Sequence, residues 1–91
     1  MGLSSKRAII RGNVQGVGFR YTARERAVTL KLHGYVRNCP DGSVEARFNG
    51  EQSAVEAFVD WLTTGPPGAT VSSIAVEDAE PTGGTSFEVT R

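Results

Sequence analysis

An arginine closing a glycine-dotted loop, and an asparagine ahead of a tight turn, are the residues of this chain whose types and settings could do chemistry. Residues 12–20 read GNVQGVGFR, with Gly12, Gly16 and Gly18 in a turn that opens a helical pattern. Several backbone N–H groups can converge on one point in such a turn, and a nest of this kind binds anions. The first N–H groups of the helix are also unpaired and lie at the positive end of its dipole, where phosphate is a natural occupant. Arg20 at that helix start opposes the dipole by about 0.3–1 kcal/mol unless an anion offsets it. From these residues alone two readings stand: an anion site, or a glycine-rich turn with a solvent-facing arginine. Two nucleotide motifs are excluded, because GxxxxGK[ST] needs a lysine this loop lacks, and Tyr21 occupies the third glycine position of GxGxxG.

The second candidate lies in residues 34–45, GYVRNCPDGSVE. Asn38 reads as a turn former ahead of Pro40-Asp41-Gly42, and equally as a side chain whose amide can hold a water in one orientation. Cys39 is a small hydrophobe rather than a nucleophile, since the only histidine, His33, stands at the other end of this strand. His33 itself lacks the neighbouring ligands a metal would need, so no metal and no cofactor is expected. Glu25, Asp41 and Glu45 read as solvated charges.

The elements that must position these residues follow from periodicity. Residues 6–13 suit a first strand, and residues 20–30 turn helical with Ala23, Ala27 and Leu30 on one face. Residues 34–39 and 43–49 make a β-hairpin, the second arm alternating Val44, Ala46 and Phe48, with Asn49-Gly50 closing it. A second helix starts near Gln52 or Ser53 and carries Ala54, Val55, Phe58, Trp61 and Leu62 as an apolar stripe. A rigid loop at 64–69, a strand at 71–77 and a short last strand at 87–90 complete the order. This is a βαββαβ pattern, the ferredoxin-like split β-α-β of the α+β class: an antiparallel sheet of four to five strands with two helices on one face. In that topology the first two strands run toward the same end of the sheet, so residues 12–20 and 38–42 become neighbours.

A 91-residue chain fits one domain, expected over 1–91 with 1–5 disordered. Ten Lys and Arg balance ten Asp and Glu, which leaves no global field for nucleic acid or an anionic membrane, so any anion site is local. One cysteine permits no internal disulfide. No apolar run reaches membrane-spanning length, residues 1–6 carry no apolar leader core, and Lys6 breaks the myristoylation pattern, so a cytoplasmic protein is expected.

GNVQGVGFR, then GYVRNCPDGSVE, then GPPGATV at 65–71 and the closing SFEVTR together resemble the acylphosphatase family over nearly the whole chain. The resemblance implies a metal-independent, monomeric hydrolase that cleaves acyl phosphates to a carboxylate and inorganic phosphate. It implies that Arg20 binds the phosphate with the backbone amides of Gln15, Gly16, Val17, Gly18, Phe19 and Arg20, and that Asn38 positions the attacking water. Lys31 departs from the pattern where similar chains carry glycine, and Tyr35 stands where tryptophan is common. The alternative on the same scaffold is a non-catalytic phosphate or acyl-phosphate binding domain. An RNA-binding domain of this fold is disfavoured by the absent aromatic pattern and the zero net charge.

Overall fold

Period-two alternation decides which face of each strand meets the helices. In the computed structural model, which describes residues 2–90, Ala8 and Ile10 of β1 (Leu3–Asn13), Val36 of β2 (His33–Asn38), and Val44, Ala46 and Phe48 of β3 (Val44–Glu51) are all buried on one side. Two helices cover that side. α1 (Phe19–Thr29) buries Phe19, Ala23 and Ala27, and α2 (Gln52–Thr64) buries Val55, Phe58 and Leu62. Phe58 is the centre of the core, edge-on to Phe48 at 4.8 Å and to Phe87 at 5.9 Å between ring centroids. Burying a side chain of this size contributes roughly 1.5–3 kcal/mol.

The remaining strands are β4 (Thr70–Asp78) and β5 (Phe87–Thr90), and the sheet order is β4-β1-β3-β2-β5. The expected α+β fold and its ferredoxin-like order are present. The sheet is antiparallel over its first four strands, but β5 pairs in parallel with β2, Gly34 opposite Phe87, so the five-stranded sheet is mixed. The cause is the segment after β4. It starts at one edge of the sheet and must reach the other, tied on the way by Thr82, whose N–H and Oγ donate to Asn49 Oδ1, and by Arg47, which donates to the Glu80 carbonyl.

Several boundaries differ from the sequence reading for physical reasons. Residues 3–5, expected to be disordered, extend β1 and pair with Glu51, Gly50 and Asn49; Met1 lies outside the described residues. That pairing also keeps Asn49-Gly50 inside β3 instead of forming a turn, and the helix begins directly at Gln52. Gly12 sits within β1 at a register shift, where a Cβ would lie 2.1 Å from the Thr70 carbonyl oxygen, so it serves strand packing and not the anion loop. Lys31 adopts φ +62°. It stands at the turn that ends α1, where Leu32 N–H donates to Ala27 O at 2.9 Å and Lys31 N–H to Val28 O at 3.0 Å. Those two bonds form a Schellman cap, whose left-handed position normally falls to glycine.

Glu45 is the clearest correction. Read as a solvated charge, it is 4% exposed on the helix-free face of the sheet. Arg37 faces it across the β2–β3 ladder and Arg7 reaches it diagonally from β1, each donating through Nε to one carboxylate oxygen, while Tyr35 OH adds a 3.4 Å contact. Burial pushes its pKa up, but the hydrogen bonds and charges of Arg37 and Arg7 outweigh this and leave the carboxyl below its ordinary value.

Candidate active site

The loop between β1 and α1 is short, residues 14–18, and its shape comes from two glycines. Gly16 has φ +77° and Gly18 φ +76°, left-handed values that turn the intervening amides toward one side. Nothing lies within 4 Å of a Cβ built at either position, so glycine is required there for its backbone angle and not for space. Val14 and Phe19 anchor the loop from both ends by burying their side chains in the core.

α1 opens without a side-chain cap. Gly18 is its N-cap residue, no acidic side chain stands in the first turn, and the first amide of the helix to find a backbone acceptor is Thr22, bonded to Gly18 O at 3.1 Å. The amides of Phe19, Arg20 and Tyr21 are therefore the free N–H groups expected of a helix start, beside those of the glycine loop. Together these donors give the helix start a positive potential.

Arg20 lies in the first turn and is half-buried. Its Nη1 donates to the Thr90 carbonyl at 3.1 Å and its guanidinium lies 5.8 Å from the centre of the Tyr21 ring. One turn on, Arg24 Nε donates to Phe87 O at 3.1 Å, so α1 grips the parallel strand β5 at two points. The partners found for Arg20 among the described residues are neutral: a carbonyl and a ring. Such contacts orient a guanidinium while leaving its charge uncompensated.

Asn38 ends β2, opposite Val44, at the same end of the sheet as the end of β1. The juxtaposition expected from topology is present. Arg11 of β1 reaches Asp41 of the hairpin turn at 2.9 Å, and the Gln15 side chain crosses from the loop to the hairpin. Hydrogen bonds from Ser43 and from Arg11 hold the Asp41 carboxyl well below the usual carboxylate range, so it is ionised at neutral pH.

The structure thus brings Arg20, the amides of residues 15–20 and Asn38 to one end of the sheet. Cys39 adjoins Asn38 as a free, half-buried thiol, and its backbone rather than its sulfur takes part in the local bonding. His33 is at the opposite end of β2. Among the described residues there is no cluster of three or more His, Cys, Asp or Glu able to hold a metal ion, and no helix long and apolar enough to cross a membrane. Sequence reasoning counted only the backbone amide of Gln15 and missed its side chain, as it missed the Thr90 carbonyl beneath Arg20. Neither leaves a signal in the sequence, since a carbonyl has no residue type and a glutamine in a loop reads as solvated.

Comparison with known proteins agrees with the motifs. The acylphosphatase family model matches residues 6–89. An acylphosphatase of Trichormus variabilis is 52% identical over 82 residues, covering 90% of this chain and 81% of that protein. The crystal structure of acylphosphatase from Bacillus subtilis superposes with a TM-score of 0.92 at 36% identity, covering 99% of this chain and 100% of that one. The same fold occurs within a much larger protein, HypF of T. kodakarensis, with a TM-score of 0.84 and 30% identity; 97% of this chain matches 12% of that chain.

Proposed function

This chain belongs to the acylphosphatase family, an enzyme of the hydrolase class, and from that premise we propose that it hydrolyses acyl phosphates through Arg20, Asn38 and the amide loop of residues 15–20. The observation that carries the residue assignment is the placement of that loop and Asn38 at one end of the sheet, with a guanidinium whose described partners are neutral.

In this reading the amides of residues 15–20 and Arg20 hold the three outer oxygens of the phosphoryl group, and Asn38 holds a water in line with the bond to the acyl oxygen. The water oxygen bonds to phosphorus as the phosphorus–acyl oxygen bond breaks. The electron pair leaves with the carboxylate, and the proton of the water passes to a phosphate oxygen. Phosphoryl transfer of this kind depends mainly on positioning and on stabilising charge, and a carboxylate departs without a general acid. The amides and Arg20 supply that stabilisation from groups already oriented, which costs no rearrangement during reaction. All the groups named come from one domain and one chain, so a monomer suffices, with acyl phosphates and inorganic phosphate as its partners.

The test is hydrolysis of benzoyl phosphate by the purified protein in excess EDTA, beside Arg20→Ala and Asn38→Ala. Turnover by the parent, lowered about 10²-fold or more in both variants, is the expected result. Phosphate binding by a folded parent without turnover would replace this reading by a non-catalytic binding domain, and turnover abolished by EDTA would overturn metal independence.

A further inference from the structure

The Gln15 side chain occupies a place that the proposed mechanism does not use. Its Nε2 donates to two carbonyl oxygens at once, Cys39 O at 2.8 Å and Ser43 O at 2.9 Å. Both hydrogens of the carboxamide are thereby committed. The same two carbonyls close the hairpin: Ser43 O accepts from Cys39 N–H at 2.8 Å and Cys39 O from Gly42 N–H at 3.1 Å. Residues 39 and 43 are the pair just beyond the last ladder pair, Asn38 opposite Val44. Fixing the carbonyls of 39 and 43 therefore fixes where the Asn38 backbone sits. At its other end Gln15 is the residue after buried Val14 and before Gly16, at the entrance of the amide loop.

We infer that Gln15 is a positioning residue, whose carboxamide sets the separation between the amide loop and Asn38; this rests on the proposed roles of those two parts. The loop owes its own curvature to Gly16 and Gly18 and its anchorage to Val14 and Phe19, none of which depends on the Gln15 side chain. Loss of the carboxamide should thus leave phosphate binding largely intact and let the hairpin drift relative to the loop. A displacement near 1 Å between reacting groups costs about 10²-fold in rate. The Arg11–Asp41 pair is the described side-chain tie between β1 and this turn, and its side chains are 55% and 53% exposed, so it constrains the turn weakly.

Gln15→Met keeps the length and volume of the side chain and removes both donors. Rates are read per folded molecule, with the folded fraction taken from urea unfolding. The expected result is a kcat lowered about 10–100-fold with the inhibition constant of inorganic phosphate moved less than about threefold. In an Asn38→Ala background the same substitution should remove less than about a further threefold, because the residue it places is gone. A parent-like kcat, an equal loss of kcat and phosphate affinity, or a full additional loss in the Asn38→Ala background would overturn the inference. The Asn38→Ala single variant separates the two failures. If it is impaired while Gln15→Met is not, only the role of Gln15 falls; if it is fully active, the water-holding role of Asn38 falls first, and that of Gln15 with it.

Discussion

Two groups of arginines on this small sheet have opposite surroundings. On the helix-free face, Arg7 and Arg37 each donate to a different oxygen of one buried carboxylate, Glu45. At the sheet edge, Arg20 meets a carbonyl and an aromatic ring among the described residues. The first arrangement pairs each guanidinium with a carboxylate, Arg7 lying also 3.9 Å from Glu77, and adds stability. The second holds a guanidinium in place through neutral groups among the described residues, near the unpaired amides of the helix start. The difference lies in the partner and not in the residue type, which separates an arginine that holds the fold from the one proposed to act on phosphate.

The substitution that cuts deepest into this contrast is Arg20→Ala. Arginines that stabilise a transferring phosphoryl group contribute about 10³–10⁵ in rate. A loss of kcat/KM of that order is expected, together with loss of inhibition by inorganic phosphate, while the urea midpoint stays near that of the parent. Retention of phosphate inhibition in the variant would move the binding role to the amides alone. Asn38→Ala comes next, with a fall in kcat of about 10²-fold or more and phosphate inhibition preserved, because its proposed task is to orient water and not to hold the anion. Steady-state kinetics with phosphate as competitor distinguish the two variants.

Glu45→Gln inverts the pattern and affects stability with little effect on turnover. Hydrogen bonds to charged groups contribute about 1.5–3 kcal/mol when buried, and both arginines are more than a third exposed and can turn to water, so a loss of about 2 kcal/mol is expected, roughly 8–16 °C in Tm for a domain of this size. The pH dependence has a definite sign. The Glu45 carboxyl titrates below its ordinary value of 4.5 in the fold, so its contribution is complete above that value and is lost as the pH falls through the lowered one. Thermal melts at pH 7 and pH 3 should show the gap between parent and Glu45→Gln narrowing at the lower pH. A gap that is constant with pH would mean that the pair contributes packing and not charge.

The nearness of the β1–α1 loop to the hairpin turn was legible because it follows from direction. Once β1 and β2 run the same way, the segment leading to Arg20 and the turn after Asn38 must lie at the same end of the sheet, whatever the side chains between them. Glu45 was not legible, since its burial depends on which residues face it across two ladders, and alternation within β3 carries no information about register with Arg37 and Arg7. Asn49-Gly50 misled for a related reason. The dipeptide favours a turn locally, but a strand on the neighbouring side, Leu3 to Ser5, supplies partners that keep it extended. Gln15 shows the same limit in the site itself: which carbonyls a flexible side chain reaches is decided by the meeting of distant segments.

The smallest expected effect concerns the one described non-glycine residue with a left-handed backbone, and it asks whether strain as well as charge marks the functional edge. Lys31 at φ +62° ends α1 at the end remote from Arg20. A residue with a Cβ in that conformation costs about 1 kcal/mol relative to glycine, against which glycine gains freedom in the unfolded chain. The cap needs the conformation in either case, because the Leu32 and Lys31 amides satisfy Ala27 and Val28 carbonyls only when the chain turns back there, and Leu32 is buried by that turn. Lys31→Gly should therefore raise Tm by at most a few degrees, corresponding to a net gain of up to about 0.6 kcal/mol, with kcat and phosphate inhibition unchanged. If the variant proves more stable but turns over more slowly, the strained helix end is coupled to the site through α1, and the division between a stabilising region and a reactive one would have to be drawn elsewhere.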